Sequence, residues 1–242
     1  MDLSASINRR IGRAMADYAM LADGDRVLVA TSGGVDSLFT ACLLAFWRKK
    51  APIDYELINV HIDLGYKEGA SDAVRRECNR LGLALRVEKS LFGPEALAAE
   101  GGKNVCFHCA RMRRNRLFSL ARDLDCNKIA FGHHKDDLIE TFFLNLLHSG
   151  NLSTMLPKQS LFSGRLHLIR PLAYLDKEEI IAAAKANDIR PVKDPCPHAD
   201  DSRRATVREL IGEIGKLAPG SRRSIFAAMA NPRLEYLLKV GD

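Results

Sequence analysis

The 242-residue sequence has no run of about twenty apolar residues, which excludes an obvious membrane-spanning helix. Met1–Tyr18 carries Arg9, Arg10 and Arg13 but no apolar core leading to a cleavage site. It therefore reads as an amphipathic helix rather than a leader, and a cytoplasmic location without a membrane partner is expected by default. No internal repeat or low-complexity tract occurs, which excludes a repeat array. Nor is one charge sign strongly in excess: 36 Lys and Arg face 30 Asp and Glu, for a net +6. That balance admits a nucleic-acid partner without demanding one, so placement matters more than the total. Arg111, Arg113, Arg114 and Arg116 form one cluster, and Arg203, Arg204 and Arg208 form another, extended by Arg222 and Arg223. Each cluster is either a solvated helix face or a grip for a phosphate backbone.

What is present is a globular composition, 47% hydrophobic and 27% charged, in a length that suits one α/β domain with small extensions. The most informative stretch is Thr31-Ser32-Gly33-Gly34-Val35-Asp36-Ser37. It follows the apolar run Val27–Ala30 and precedes an amphipathic pattern, Leu38–Trp47. A glycine-rich turn between a buried strand and a helix is a phosphate cradle. The glycines let backbone come close to the anion, and the helix start points N–H groups at it. Ser32 and Ser37 add hydroxyls. Asp36 adds a negative charge that makes sense beside phosphate only with a cation, for which Mg²⁺ is the candidate.

Strand candidates are Arg26–Ala30, Glu56–Ile62, Ala84–Glu88, Lys128–Phe131 and Leu166–Ile169. Helical patterns occupy Val74–Leu81, Arg111–Leu124, Asp137–Leu147 and Lys177–Lys185, the last opened by Asp176. The alternation predicts a parallel sheet of about five strands with helices on both faces, flanked by N- and C-terminal helices. Residues 1–24 are expected as an N-terminal helix, 25–202 as the nucleotide-binding α/β domain and 203–242 as a helical tail. Stretches 93–104 and 148–165 read as irregular excursions. In such sheets ligands bind at the carboxyl ends of the strands. The phosphate loop, His61-Ile62-Asp63 and Gly132-His133-His134 all fall on that rim, which makes His61, Asp63, Gly132 and His133 nucleotide candidates.

Six cysteines occur. Cys42, Cys78 and Cys126 sit in or after helical segments and read as structural. Cys106-Phe107-His108-Cys109 opens a helix, where the positive helix end favours thiolate. Two thiols alone cannot complete a tetrahedral zinc site, so His108, Cys196 and His198 are candidate further ligands. Three cysteines could instead hold a [4Fe–4S] cluster with one iron left open, and a dithiol redox pair is a third option. Adjacent Asp136 and Asp137, at the start of a helix after His133-His134, could hold Mg²⁺ on a nucleotide or could simply complement the helix end.

Taken together these motifs resemble those of the tRNA 2-thiocytidine synthetases, a branch of the PP-loop ATP pyrophosphatases. The matching segments are Ser32–Ser37, Lys103-x-x-Cys106-x-x-Cys109-x-Arg111-x-Arg113-Arg114, Gly132-His133-His134-x-Asp136-Asp137, Ile169–Tyr174 and Pro195-Cys196. The resemblance implies that Ser32, Gly33, Gly34, Asp36 and Ser37 hold ATP, with Asp36 and Asp137 on Mg²⁺. It implies a [4Fe–4S] cluster on Cys106, Cys109 and Cys196, with Lys103 near the base or phosphates. A pyrimidine C2 oxygen, of cytidine by this resemblance, would be adenylated and then displaced by sulfur. Asp136 and Asp137 would lie at the reacting centre. Arg111, Arg113, Arg114, Arg203 and Arg204 would contact tRNA. A sulfur donor such as a cysteine desulfurase is the implied partner, and a homodimer is compatible with the reading. Two rivals use the same residues differently: a lysidine-type ligase joining an amine instead of sulfur, and a metal-stapled RNA-binding module with no catalysis.

Overall fold

The computed structural model describes residues 1–99, 105–193, 196 and 203–238, with the Arg203 side chain excepted. In chain order the elements are α1 (Ala5–Asp17), β1 (Asp25–Ala30), α2 (Val35–Arg48), β2 (Tyr55–Asp63), α3 (Ala70–Arg80), β3 (Leu85–Lys89) and α4 (Phe92–Ala98). Then follow α5 (Val105–Asp123), β4 (Lys128–Ala130), α6 (Lys135–His148), β5 (Lys158–Leu161), β6 (Leu166–Ile169), α7 (Lys177–Ala186), α8 (Arg203–Leu217) and α9 (Ser221–Ala230). A short 3₁₀ turn covers Leu234–Tyr236.

The strands pair in the order β3-β2-β1-β4-β6-β5. All neighbours are parallel except β5, which runs antiparallel to β6 at the edge. The expected parallel sheet of five strands is thus present with a sixth added. Strand β1 is buried on both faces from Val27 onward, so Val27–Ala30 are all apolar. Val27 and Val29 pack with α1, α2 and α7 on one side, where Ile11, Phe39, Leu43 and Ile180 are fully buried. Leu28 packs with Ile129, Leu117 and Leu120 on the other. After β3 the chain returns to the opposite side of β1, so β1 and β4 flank a topological switch point. The loops leaving these two strands carry the motifs.

Two elements were not expected. Strand β5 is Lys-Gln-Ser-Leu, whose composition is that of a polar edge rather than a buried strand. Helix α4 begins Phe92-Gly93-Pro94, and a proline is tolerated in a first turn because the N–H it lacks would have no helical partner there.

The chain divides into two units: Met1–Lys135 with Leu156–Asp201, and Asp136–Met155 with Ser202–Asp242. This differs from the expected boundaries. Helix α1 belongs to the first unit, because Ile11, Ala14 and Met15 are core residues and Arg10 pairs with Glu179 of α7. In the second unit α6 joins α8 and α9: Ile139 packs with Val207 and Ile211, against Phe143, Ile225 and Phe226. The expected tail is therefore two helices, broken at Pro219-Gly220, where Gly220 has φ +87°.

One buried ion pair anchors the start of the sheet. Lys128 of β4 pairs with Asp25 of β1, and each is only 4% exposed. Asp25 also accepts from Asn127 Nδ2 at 2.8 Å and from the Ala22 amide at 2.5 Å. Removing one partner strands the other charge, so Asp25→Ala is expected to cost about 3–5 kcal/mol in denaturant unfolding. The double variant Asp25→Ala, Lys128→Met should recover much of that loss. A double variant as unstable as the sum of the two singles would show that the pair carries no coupling.

Candidate active site

The phosphate loop is held open by its own hydroxyl. Ser37 Oγ accepts the amides of Ser32 (3.1 Å) and Gly33 (3.2 Å) and donates to the Gly34 carbonyl at 2.9 Å. Ser32 Oγ donates to Ser37 Oγ at 3.1 Å. Gly33 takes φ +96°, and a Cβ there would come within 2.8 Å of Val74. Gly34 caps α2 in an extended conformation, and no side chain caps the helix. The positive end of α2 is thus aimed into the loop.

Gly132 sets the distance to the neighbouring loop. A Cβ on it would lie 2.7 Å from the Asp36 carbonyl carbon and oxygen and 2.8 Å from the Ser37 nitrogen. Next to it His134 Nε2 is 3.9 Å from Asp36 Oδ1. Lys177, the first residue of α7, places Nζ 2.7 and 2.6 Å from the two Asp36 oxygens. Asp176, which caps that helix, also binds Lys135 Nζ at 2.8 Å. Arg170, 4% exposed, donates Nε to His133 Nδ1 at 3.3 Å.

His61 and Asp63 have roles inside the scaffold. His61 is buried, with Nδ1 2.9 Å from the Thr31 carbonyl, so it fixes the residue that opens the phosphate loop. Asp63 accepts from the Gly65 amide (3.0 Å) and Ser71 Oγ (2.7 Å). Burial raises its pKa, but these hydrogen bonds outweigh that and hold it below the usual carboxylate range.

The cysteines separate into two kinds. Burial pushes Cys42 and Cys78 up to about 11 and raises Cys126, so all three remain neutral thiols in the core. Cys106 is exposed and Cys109 buried in the first turns of α5, where Cys109 packs with Ala96, Val105 and Leu64. Cys196 is half-buried. The chain leading to it is tied to the phosphate loop, because the Val192 amide donates to the Gly33 carbonyl at 2.9 Å. Tyr66 links these segments. Burial, then Cys196, Cys109 and Cys106, raise the pKa of its phenol strongly. Its hydroxyl is buried and has no hydrogen-bond partner of normal geometry among the described residues, a state that costs about 1–3 kcal/mol. No group of three or more His, Cys, Asp or Glu side chains among the described residues is placed to hold a single metal ion.

In the second unit Asp136 lies 3.2 Å from Arg222 and Asp137 3.6 Å from Arg204. Arg208 Nε donates to Glu140 at 2.9 Å. The carboxylates expected on Mg²⁺ are thus paired with the protein's own cations, Asp36 with Lys177 included. Arg204, expected on RNA, carries an internal ion pair. Arg111, Arg113 and Arg114 are exposed, whereas Arg116 binds Glu88 at 2.8 Å. Lys103, His198 and the side chain of Arg203 lie outside the described residues.

The model of the PP-loop domain matches residues 3–214. The tRNA-cytidine(32) 2-sulfurtransferase of Geobacter sulfurreducens is 37% identical over 235 residues, covering 96% of this chain and 91% of that protein. Its counterpart from Geotalea uraniireducens is 36% identical over 239 residues, covering 98% and 95%. The chain belongs to the PP-loop family. Among solved structures, the U34-tRNA thiolase NcsA from Methanococcus maripaludis, with its [4Fe-4S] cluster, superposes with a TM-score of 0.75 at 24% identity. That match covers 96% of this chain and 80% of the thiolase. The NH3-dependent NAD synthetase from Campylobacter jejuni has a TM-score of 0.51 at 16% identity, with full coverage of both chains. These two structures share the α/β fold.

Within this PP-loop framework, two side chains escaped the sequence reading. Lys177 left a signal: a cation at the first position of a helix opposes the helix dipole, an arrangement that calls for a nearby anion. Tyr66 left none, since only folding brings it to the cysteines. The close approach at Gly132 has a measurable consequence. Gly132→Ala forces backbone apart and is expected to cost about 1–3 kcal/mol in unfolding. Gly212→Ala, in a helix with nothing within 4 Å of its Cβ, should instead add up to about 1 kcal/mol. A Gly132→Ala protein as stable as the parent would show that the two loops are not held at this distance.

Proposed function

We propose that the protein is a tRNA 2-sulfurtransferase that activates C2 of a cytidine with ATP and replaces its oxygen with sulfur. The observation that carries this reading is the joining of two chemistries in one unit. Cys106, Cys109 and Cys196 all act electrostatically on the buried Tyr66 phenol, and Val192, four residues before Cys196, donates its amide to the Gly33 carbonyl of the phosphate loop. The names of the relatives that align over nearly the whole chain support it. A lysidine-type ligase has no use for the three thiols.

ATP's β- and γ-phosphates sit on the amides of Ser32, Gly33 and Gly34 and the hydroxyl of Ser37, at the positive end of α2. The Ser32 and Gly33 amides exchange the Ser37 oxygen, and the Gly34 amide the Ser32 oxygen, for phosphate oxygens. The cytosine O2 attacks the α-phosphorus, an O–P bond forms, and pyrophosphate leaves with the electrons of the broken P–O bond. This turns a poor leaving group into AMP. Sulfur at the sulfide level then adds to C2 and AMP departs, so no net redox change occurs. Lys177 neutralises Asp36 beside the incoming phosphates, with His134 Nε2 3.9 Å from the same carboxylate. Mg²⁺ would accompany the nucleotide, with Asp36 the carboxylate of the loop nearest to it.

Three cysteines offer an all-thiol donor set, which suits an iron–sulfur centre, and the buried Tyr66 hydroxyl has no hydrogen-bond partner of normal geometry among the described residues. NcsA, which shares the fold, carries such a cluster. Cys106, Cys109 and Cys196 would hold it, and when bound it supplies one iron with an open position for sulfide. Exposed Arg111, Arg113 and Arg114 would take tRNA phosphates. A cysteine desulfurase is the class of enzyme that supplies the sulfur.

Anaerobically loaded protein given tRNA, ATP and sulfide should produce 2-thiocytidine, measured by mass spectrometry of digested nucleosides. Cys106→Ala, Cys109→Ala and Cys196→Ala should each abolish it while ATP still binds. Thiolation by any of these variants, or an amine adduct in place of sulfur, would overturn the assignment.

Lys177→Met leaves Asp36 facing the triphosphate and should weaken ATP binding about tenfold, roughly 1.4 kcal/mol. Adding Asp36→Asn should restore part of it. Unchanged affinity in the single variant by calorimetry would remove Lys177 from the nucleotide site.

A further inference from the structure

The turn 64–66 is more tightly specified than a connection between β2 and α3 requires. Asp63 Oδ1 holds the Gly65 amide at 3.0 Å, and Gly65 takes φ +75°, where a Cβ would lie 2.5 Å from the Ser90 carbonyl. The Gly93 amide donates to the Leu64 carbonyl at 2.8 Å. Leu64 packs with Cys109, Val105 and Ala96. Gly93 also clears room for an aromatic ring: a Cβ there would stand 2.6–2.8 Å from three atoms of Tyr66. The ring is thus clamped from below and its hydroxyl is delivered to a buried position beside three cysteines from two distant segments. A phenylalanine would fill the same space without burying an oxygen.

We propose that Tyr66 is a positioning residue for the iron–sulfur centre, its hydroxyl donating a hydrogen bond to the Cys196 sulfur once that thiolate is a ligand. This rests on the assignment of Cys106, Cys109 and Cys196 as the ligand set. A phenol O–H is a donor, and a metal-bound thiolate is a stronger acceptor than a neutral thiol. The donor faces a sulfur that becomes more negative when the cluster gains an electron. It therefore stabilises the reduced form more than the oxidised one and raises the reduction potential. Asp63, Gly65 and Gly93 act through Tyr66 by fixing its aim.

The test uses the full chain, reconstituted anaerobically with iron and sulfide, and the variant Tyr66→Phe, which keeps the ring and removes one oxygen. At a fixed solution potential the ratio of reduced to oxidised cluster should fall about tenfold in Tyr66→Phe, a downward shift of ~59 mV for one electron. A second measurement needs only the parent protein. The reduced cluster should show a hydrogen coupling in pulsed electron–nuclear resonance that is lost after exchange into D2O. In Tyr66→Phe that exchangeable coupling should be missing from the start. Parent protein that loads a cluster but shows no exchangeable coupling overturns this inference alone, as does a Tyr66→Phe potential equal to the parent's. Parent protein that takes up zinc and no iron overturns the ligand assignment and this inference with it.

Discussion

Gly132 lies so close to the first turn of α2 that no side chain fits between them, and the rest of the site depends on that approach. It joins the loop after β4 to the loop after β1 at the point where the sheet changes direction. Because the two loops touch through backbone, their spacing is set by covalent geometry rather than by adjustable side chains. His134 and Lys177 can then meet Asp36 at fixed distances. The sheet beneath supplies rigidity, with β1 and β4 tied at their starts by the buried Lys128–Asp25 pair.

Much of this was legible in the sequence because the sequence has local rules for it. Short aliphatic runs alternating with helical patterns place the five parallel strands within a residue or two, since a strand buried on both faces admits little else. The phosphate loop declares itself because backbone approach to an anion demands glycine. Strand β5 and helix α4 were illegible for the opposite reason. A polar edge strand is specified by its neighbour β6 and not by its own four residues, and Gly93-Pro94 obeys a first-turn allowance that looks like a loop.

The site was legible in its residue types and less so in their roles. His61 and Asp63 fall on the predicted rim, yet one fixes the Thr31 carbonyl and the other a turn. Proximity in a strand pattern gives a residue's position but not its hydrogen-bond partner. Asp136 and Asp137 read either as metal ligands or as helix-end charges, and helices α8 and α9 bring Arg204 and Arg222 to them. Such pairing is long-range in sequence and leaves no local mark. Tyr66 is the extreme case: its relation to Cys106, Cys109 and Cys196 exists only in three dimensions.

The second unit is discontinuous, and that bears on how the chain is made. Glu140 of α6 meets Arg208 of α8 across 68 positions, and Ile139 meets Val207 and Ile211 over a similar span. During synthesis α6 leaves the ribosome with an apolar face whose covering has not yet been translated. That face must wait several seconds at about 5–20 residues per second before its partners arrive. The interval is a window in which a chaperone can bind or a nascent chain can aggregate, and it closes only when the last helices emerge.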